Sequence, residues 1–366
     1  MKIAFVYGDW SVGNRPFNMG KLWSDPRGLT GSEVSFFSIA KEMRLRGHKV
    51  SIFTQFTDVG TAEWEGCRMF QTGILNPSLD FDAVCSWNEP DQLRRASERA
   101  VRSINQQLND FDYCAPGFDD FVDVYTSPSH PHRDFIRGKT ASSDKWEVLS
   151  NGCRLSDYSG SKVKGRVIYA SSPDRGLHLL LQEWPRIKRA VPYAQLRIFY
   201  NFEPWIKRLA GETNSLNPDI KELAYRALYI REAIDRLKNF GVEHHHSISR
   251  NQMAVEMSEA EILAYPCDTI RYTEGFSVTL MEACASGTLP ITSSVDSLGG
   301  IYGEAVPMIE APVKDRMKEF GDLVIRGLTD RSWRESTVKK TKKFASGYQW
   351  AGLAETFESI LKSRQK

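Results

Sequence analysis

The sequence contains no run of about 18 apolar residues, so it offers no membrane-spanning helix. It has no low-complexity tract, and with 41% apolar and 26% charged residues it reads as an ordinary globular chain. Charge of one sign is also missing. The 48 basic and 46 acidic residues leave a net +2, which argues against a nucleic-acid binder driven by bulk charge. The six cysteines (67, 85, 114, 153, 267 and 284) are scattered and form no C-x-x-C pair. They read as reduced thiols of a cytoplasmic protein, with Cys284 facing the core. The apolar part of MKIAFVYGD is too short for a signal peptide and reads as a strand. His244, His245 and His246 are consecutive, so in an extended segment they alternate between faces and cannot all chelate one ion; no metal is expected.

What is present begins with a βαβ unit. Lys2–Tyr7 and Val50–Thr54 read as strands flanking a helix over Ser32–Arg46, which predicts a parallel sheet with right-handed crossovers. Ligands on such sheets bind beyond the carboxyl ends of the strands. The loop from Gly8 to Gly31 is long enough to suggest a task, and it carries Trp10, Arg15 and Trp23. These suit an acceptor-binding surface; a small apolar cluster of the loop itself is the other reading. Phe81–Trp87 and Asp123–Ser127 read as further strands, with a polar helix over Pro90–Leu108 between them. A second half starts with a strand at Arg166–Ala170. The run Ser171-Ser172-Pro173-Asp174 signals a helix start, which places Arg175 in the first turns, where a cation needs a nearby anion. At 366 residues the chain suits two domains.

The most informative stretch is Tyr272–Ile291, YTEGFSVTLMEACASGTLPI. Ser277 is a candidate helix cap, Val278, Met281 and Ala285 share one face, and Gly287 stops the helix. A helix start behind Gly275-Phe276 favours anions. Glu274 precedes it, and Glu282 lies close to the apolar face, where a charge is costly unless bound.

E-G-F-S followed by a helix with E-A, with seven residues between Glu274 and Glu282, resembles the acidic-pair motif of retaining glycosyltransferases with the two-domain GT-B fold. Family 4 of those enzymes is the nearest resemblance. Gly28-Leu-Thr-Gly31-Ser-Glu33, RLRGHKVSIFT, SPSHPHRDFI, EVLSNG and the EILAYP ending also fit its pattern. The resemblance implies two Rossmann-like doubly wound parallel-sheet domains facing a cleft. Residues 1–155 would bind the acceptor, 156–165 would form a linker, and 166–345 would bind a nucleotide sugar. A last helix within 346–366 would return to the first domain.

It further implies a metal-independent, retaining hexosyl transfer from a nucleoside diphosphate sugar, UDP- or GDP-linked, with no cofactor. The acceptor would be a glycan, a glycolipid or a small molecule, and peripheral contact with a membrane stays open. Glu282 would hold the ribose, Glu274 the donor sugar, and Arg175 the diphosphate with the N–H groups at Phe276 and Ser277. Gly31, Ser172, Gly275, and His246-Ser247 beside the base complete the donor set. His132, preferred over His130, would contact the sugar as a neutral imidazole. The family's second basic residue falls near Tyr169–Ser171 and is absent. A sugar-nucleotide epimerase on the same fold and a binding protein with little activity remain alternatives. A dinucleotide oxidoreductase is disfavoured, because the first βα turn is a long loop rather than G-x-G-x-x-G.

Overall fold

The structure is a computed structural model that describes residues 1–7, 16–58, 60–105, 107, 117–137 and 144–365. It divides into two compact units. The first comprises Met1–Asp25, Leu29–Gly152 and Tyr348–Lys366; the second comprises Pro26–Gly28 and Cys153–Gly347.

In the first unit, β1 (Lys2–Tyr7), β2 (Lys49–Thr54), β3 (Glu63–Trp64), β4 (Cys67–Gln71), β5 (Ala83–Trp87), β6 (Val101–Asn105), β7 (Val124–Ser127) and β8 (Trp146–Val148) form one sheet. Their order is β3-β4-β2-β1-β5-β6-β7-β8. All neighbours are parallel except the β3–β4 hairpin. Strand β1 is central, and its alternation feeds two cores: Ile3, Phe5 and Tyr7 on one face, Ala4 and Val6 on the other. Helix α1 (Gly31–Leu45) covers the first face. Its start is closed by a capping box, in which Thr30 Oγ1 accepts from Glu33 N and Glu33 accepts from Thr30 N. Helix α2 (His130–Arg137) follows β7.

The helix expected over Pro90–Leu108 does not form. A short 3-10 turn at Pro90–Arg95 leads instead into β6, which is buried along its whole length. One of the charges that make this stretch look like a helix surface, Arg102, lies on β6 itself. Its guanidinium is folded onto Asp123, with Nε–Oδ2 at 3.2 Å. A paired arginine is tolerated inside a sheet where an unpaired one is not.

The second unit runs β9 (Arg166–Tyr169), α3 (Leu177–Ala190), β10 (Gln195–Phe199), α4 (Glu203–Leu209), α5 (Pro218–Leu237), β11 (Val242–His245), α6 (Arg250–Glu259), β12 (Ile262–Ala264), α7 (Val278–Ser286), β13 (Leu289–Ser293), α8 (Leu298–Tyr302), β14 (Met308–Ile309), α9 (Met317–Thr329) and α10 (Arg331–Ser346). Its six strands are parallel, in the order β11-β10-β9-β12-β13-β14. The chain then re-enters the first unit as α11 (Trp350–Ser363). Trp350, Ala354, Phe357 and Leu361 are the buried stripe of α11, and they join the core of Phe5, Phe36 and Trp87. Among the described residues, no helix is long and apolar enough to cross a membrane.

Candidate active site

Because the strands of the second unit are parallel, the loops after β9, β11, β12 and β13 all leave the same edge of the sheet. Those loops carry Arg175, His246-Ser247, Glu274 and Asp296 in turn.

Arg175 does not sit in a helix. Ser171–Gly176 is a turn, with Arg175 N donating to Ser172 O at 3.2 Å, and α3 starts only at Leu177. Gly176 forces this. Its φ is 95°, and a Cβ there would lie 1.8 Å from the carbonyl oxygen of Pro266, so the chain must pass in a left-handed conformation against the β12–α7 loop. The anion that Arg175 requires comes from the protein itself. Its Nη1 donates to Glu274 Oε2 at 3.0 Å. Burial opposes the Arg175 charge, but Glu274, with Tyr265 and Asp174, outweighs it and holds the guanidinium well above its ordinary value.

Glu274 is 4% exposed and is met on several sides. Tyr265 donates its hydroxyl to the same Oε2. Burial, reinforced by Cys267 and Glu274, pushes that phenol well up, so it remains a donor. Behind the carboxylate, Asp296 Oδ2 accepts from Glu274 N and Thr273 N, both at 2.9 Å, and from Thr269 Oγ1 at 3.1 Å. Asp296 has φ 51°, an uncommon conformation for a residue other than glycine, found here where one oxygen gathers three donors. Ser172 Oγ is turned onto Asp174, and Tyr169 donates to Ser172 O at 2.8 Å.

Ser277 caps α7 as its spacing predicts, accepting from Leu280 N at 3.3 Å, and Gly287 closes the helix with φ 72°. Gly275 and Phe276 lie immediately before that cap. Glu282 is 3% exposed on α7 and is ion-paired with Arg250 at the start of α6. Arg250 also points towards Tyr158, with Nη2–Oη at 3.4 Å. His246 is exposed beside the β11 end, its ring 5.2 Å from that of His244. His245 turns elsewhere, towards Arg197 and Glu243. Among the described residues, no three histidine, cysteine or acidic side chains group so as to hold a metal.

The remaining sequence-stretch candidates belong to the first unit. His132 is fully buried, its Nδ1 2.6 Å from Ser127 Oγ, and burial lowers it to about 4, which keeps the imidazole neutral. His130 is exposed. Gly31 is the first residue of α1; the glycine under geometric demand is Gly28, which belongs to the second unit, with φ 72° and a Cβ position 2.8 Å from Ile248 O. Trp23 leans on Trp64, ring centroids 6.2 Å apart, and packs against the first core. Trp10 and Arg15 lie outside the described residues.

Sequence reasoning missed Tyr265, Asp296 and Arg250. The Y-P step of Tyr265 shows only as the end of EILAYP, and Arg250 opens an ordinary helix. Neither carries a local signal for the carboxylate it serves.

Residues 167–344, nearly all of the second unit, match the family model of glycosyl transferases group 1. This unit is a group 1 glycosyltransferase domain. None of the curated proteins matches the chain in sequence. Solved structures resemble it over its full length. Sucrose-phosphate synthase from Thermosynechococcus elongatus superposes with a TM-score of 0.70 at 14% identity, covering 99% of each chain. AviGT4, a glycosyltransferase involved in avilamycin A biosynthesis, gives 0.67 at 13% identity, over 99% of this chain and 97% of that one. HepE of Anabaena, solved with UDP and glucose, gives 0.65 at 14% identity, over 99% and 100%. The glycosyltransferase domain and the unit before it together make a GT-B fold of two parallel-sheet α/β domains.

Proposed function

We propose that this glycosyltransferase is a retaining, metal-independent enzyme that moves a hexose from a nucleoside diphosphate sugar, UDP- or GDP-linked, to a hydroxyl of a glycan, a lipid or a small molecule. The observation that carries the reading is the buried Arg175–Glu274–Tyr265 cluster at the carboxyl edge of the second sheet. In the reaction, the bond from the sugar's anomeric carbon to the diphosphate breaks, and the electron pair leaves with the diphosphate. The acceptor oxygen bonds to the same face of that carbon, and its proton passes to the departing phosphate. Arg175, with the N–H groups at Phe276 and Ser277 and the start of α7, offsets charge on the diphosphate. Glu274 orients the sugar hydroxyls and stabilises the oxocarbenium-like carbon. Glu282 hydrogen-bonds the ribose. Without donor, Arg175 and Glu274 neutralise each other; donor binding exchanges that contact for one to phosphate and one to sugar.

A thermal-shift and turnover panel of UDP-, GDP-, ADP- and dTDP-sugars, run with EDTA, tests this. One nucleotide class at 100 times Kd should stabilise the protein by about 2.7 kcal/mol. Arg175→Ala should lose that shift, and Glu274→Gln should keep much of it while losing turnover. No shift with any nucleotide sugar at millimolar concentration, or turnover abolished by EDTA, overturns the reading.

A further inference from the structure

The helical stretch between β10 and β11 has no evident chemistry in its sequence, yet one of its side chains reaches the loops of the site. Arg226, on α5, is buried. Its Nη1 donates to the backbone oxygens of Asp174 at 2.9 Å and Asp268 at 2.7 Å. Its Nη2 donates to Asp268 Oδ2 at 2.8 Å, and its Nε to Glu222 Oε1 at 2.9 Å. Asp174 is the residue before Arg175. Asp268 lies in the β12–α7 loop, which also carries Glu274. The same two loops touch at Gly176 and Pro266, where there is no room for a side chain.

We infer that Arg226 is a positioning residue of the donor site: from α5 it clamps the β9–α3 loop to the β12–α7 loop and thereby sets how far Arg175 stands from Glu274. The inference rests on the function proposed above. Its physical basis is the fork of the guanidinium. Three nitrogens in one plane donate to two backbone carbonyls and two carboxylates at once, which an ammonium on a flexible stem cannot match. Here both carbonyls are drawn to one nitrogen, so the loops cannot separate without breaking a charge-assisted hydrogen bond.

Arg226→Met and Arg226→Lys test the clamp by hydrogen exchange, thermal unfolding and steady-state kinetics. In Arg226→Met, amides of residues 171–176 and 266–274 should exchange about tenfold faster, while the first unit is unchanged. Turnover should fall about a hundredfold, the scale expected for a misplacement near 1 Å. Arg226→Lys should recover most of the melting temperature but little of kcat. Unchanged exchange in both loops overturns the inference. So does a lowered melting temperature with turnover per folded molecule within about twofold of the parent, which marks a purely structural arginine. If Arg226→Met fails to fold, Arg226→Lys carries the same exchange readout. If the parent turns over no nucleotide sugar, the proposed function fails, and the exchange arm alone decides whether the clamp exists.

Discussion

Glu282 lies almost wholly inside the glycosyltransferase domain, so its charge is met from within, and Arg250 meets it. Removing one partner of such a pair leaves the other uncompensated, whereas removing both exchanges a polar contact for an apolar one. Glu282→Met and Arg250→Met should therefore each destabilise the domain, and the double variant should cost less than their sum. Urea unfolding should give a coupling of about 1–3 kcal/mol; additive effects would mean that the pair is absent in solution. The sequence marks Glu282 because it falls near the apolar face of a helix. The helical turn expected around Arg175 does not form, and the sequence marks Arg175 and Glu274 through the family resemblance. It does not mark Arg250, Tyr265 or Asp296. These come from other loops, and only the parallel topology brings them to the same edge.

At the scale of elements, strands and long amphipathic helices are legible because their periodicity is local. β1, β2, α1 and α7 start and stop within a residue or two of the positions that pattern and caps predict. Two stretches mislead. Pro90–Leu108 looks like a polar helix because its charges are spaced for one, while the pairing of Arg102 with Asp123 is invisible from sequence. Ser171–Asp174 looks like a helix start, but the helix is delayed to Leu177 by the contact at Gly176. That glycine should be irreplaceable. Gly176→Ala adds a Cβ into a backbone oxygen and strains a left-handed φ, so unfolding in urea should show a loss of at least about 2 kcal/mol. A wild-type midpoint would show that the two loops are not pressed together.

For the whole molecule, α11 is the link that composition cannot reveal, since nothing in its sequence says which core its apolar stripe enters. Its attachment is also electrostatic. Glu358 pairs with Arg46 and Lys362 and lies 3.4 Å from His48. Lys362 and Arg46 hold its carboxyl down at about 2, against an ordinary value of 4.5. A depressed carboxylate contributes stability that is complete above about pH 4.5 and is lost as pH falls towards 2. Calorimetry of Glu358→Gln should show a lower melting temperature at neutral pH and a flatter decline below pH 4.5. An unchanged acid limb would place the loss of stability elsewhere.

The return of α11 also bears on synthesis. The first unit lacks one wall of its core until α11 is made, and Cys153–Gly347 of the second unit must be translated in between. At ~5–20 residues per second, those ~200 residues take about 10–40 s. For that interval the nascent chain carries an open apolar face over Phe5, Phe36 and Trp87. The unit translated first therefore cannot close before α11 is made, and slowing the ribosome ahead of that point would lengthen its exposure to chaperones and proteases.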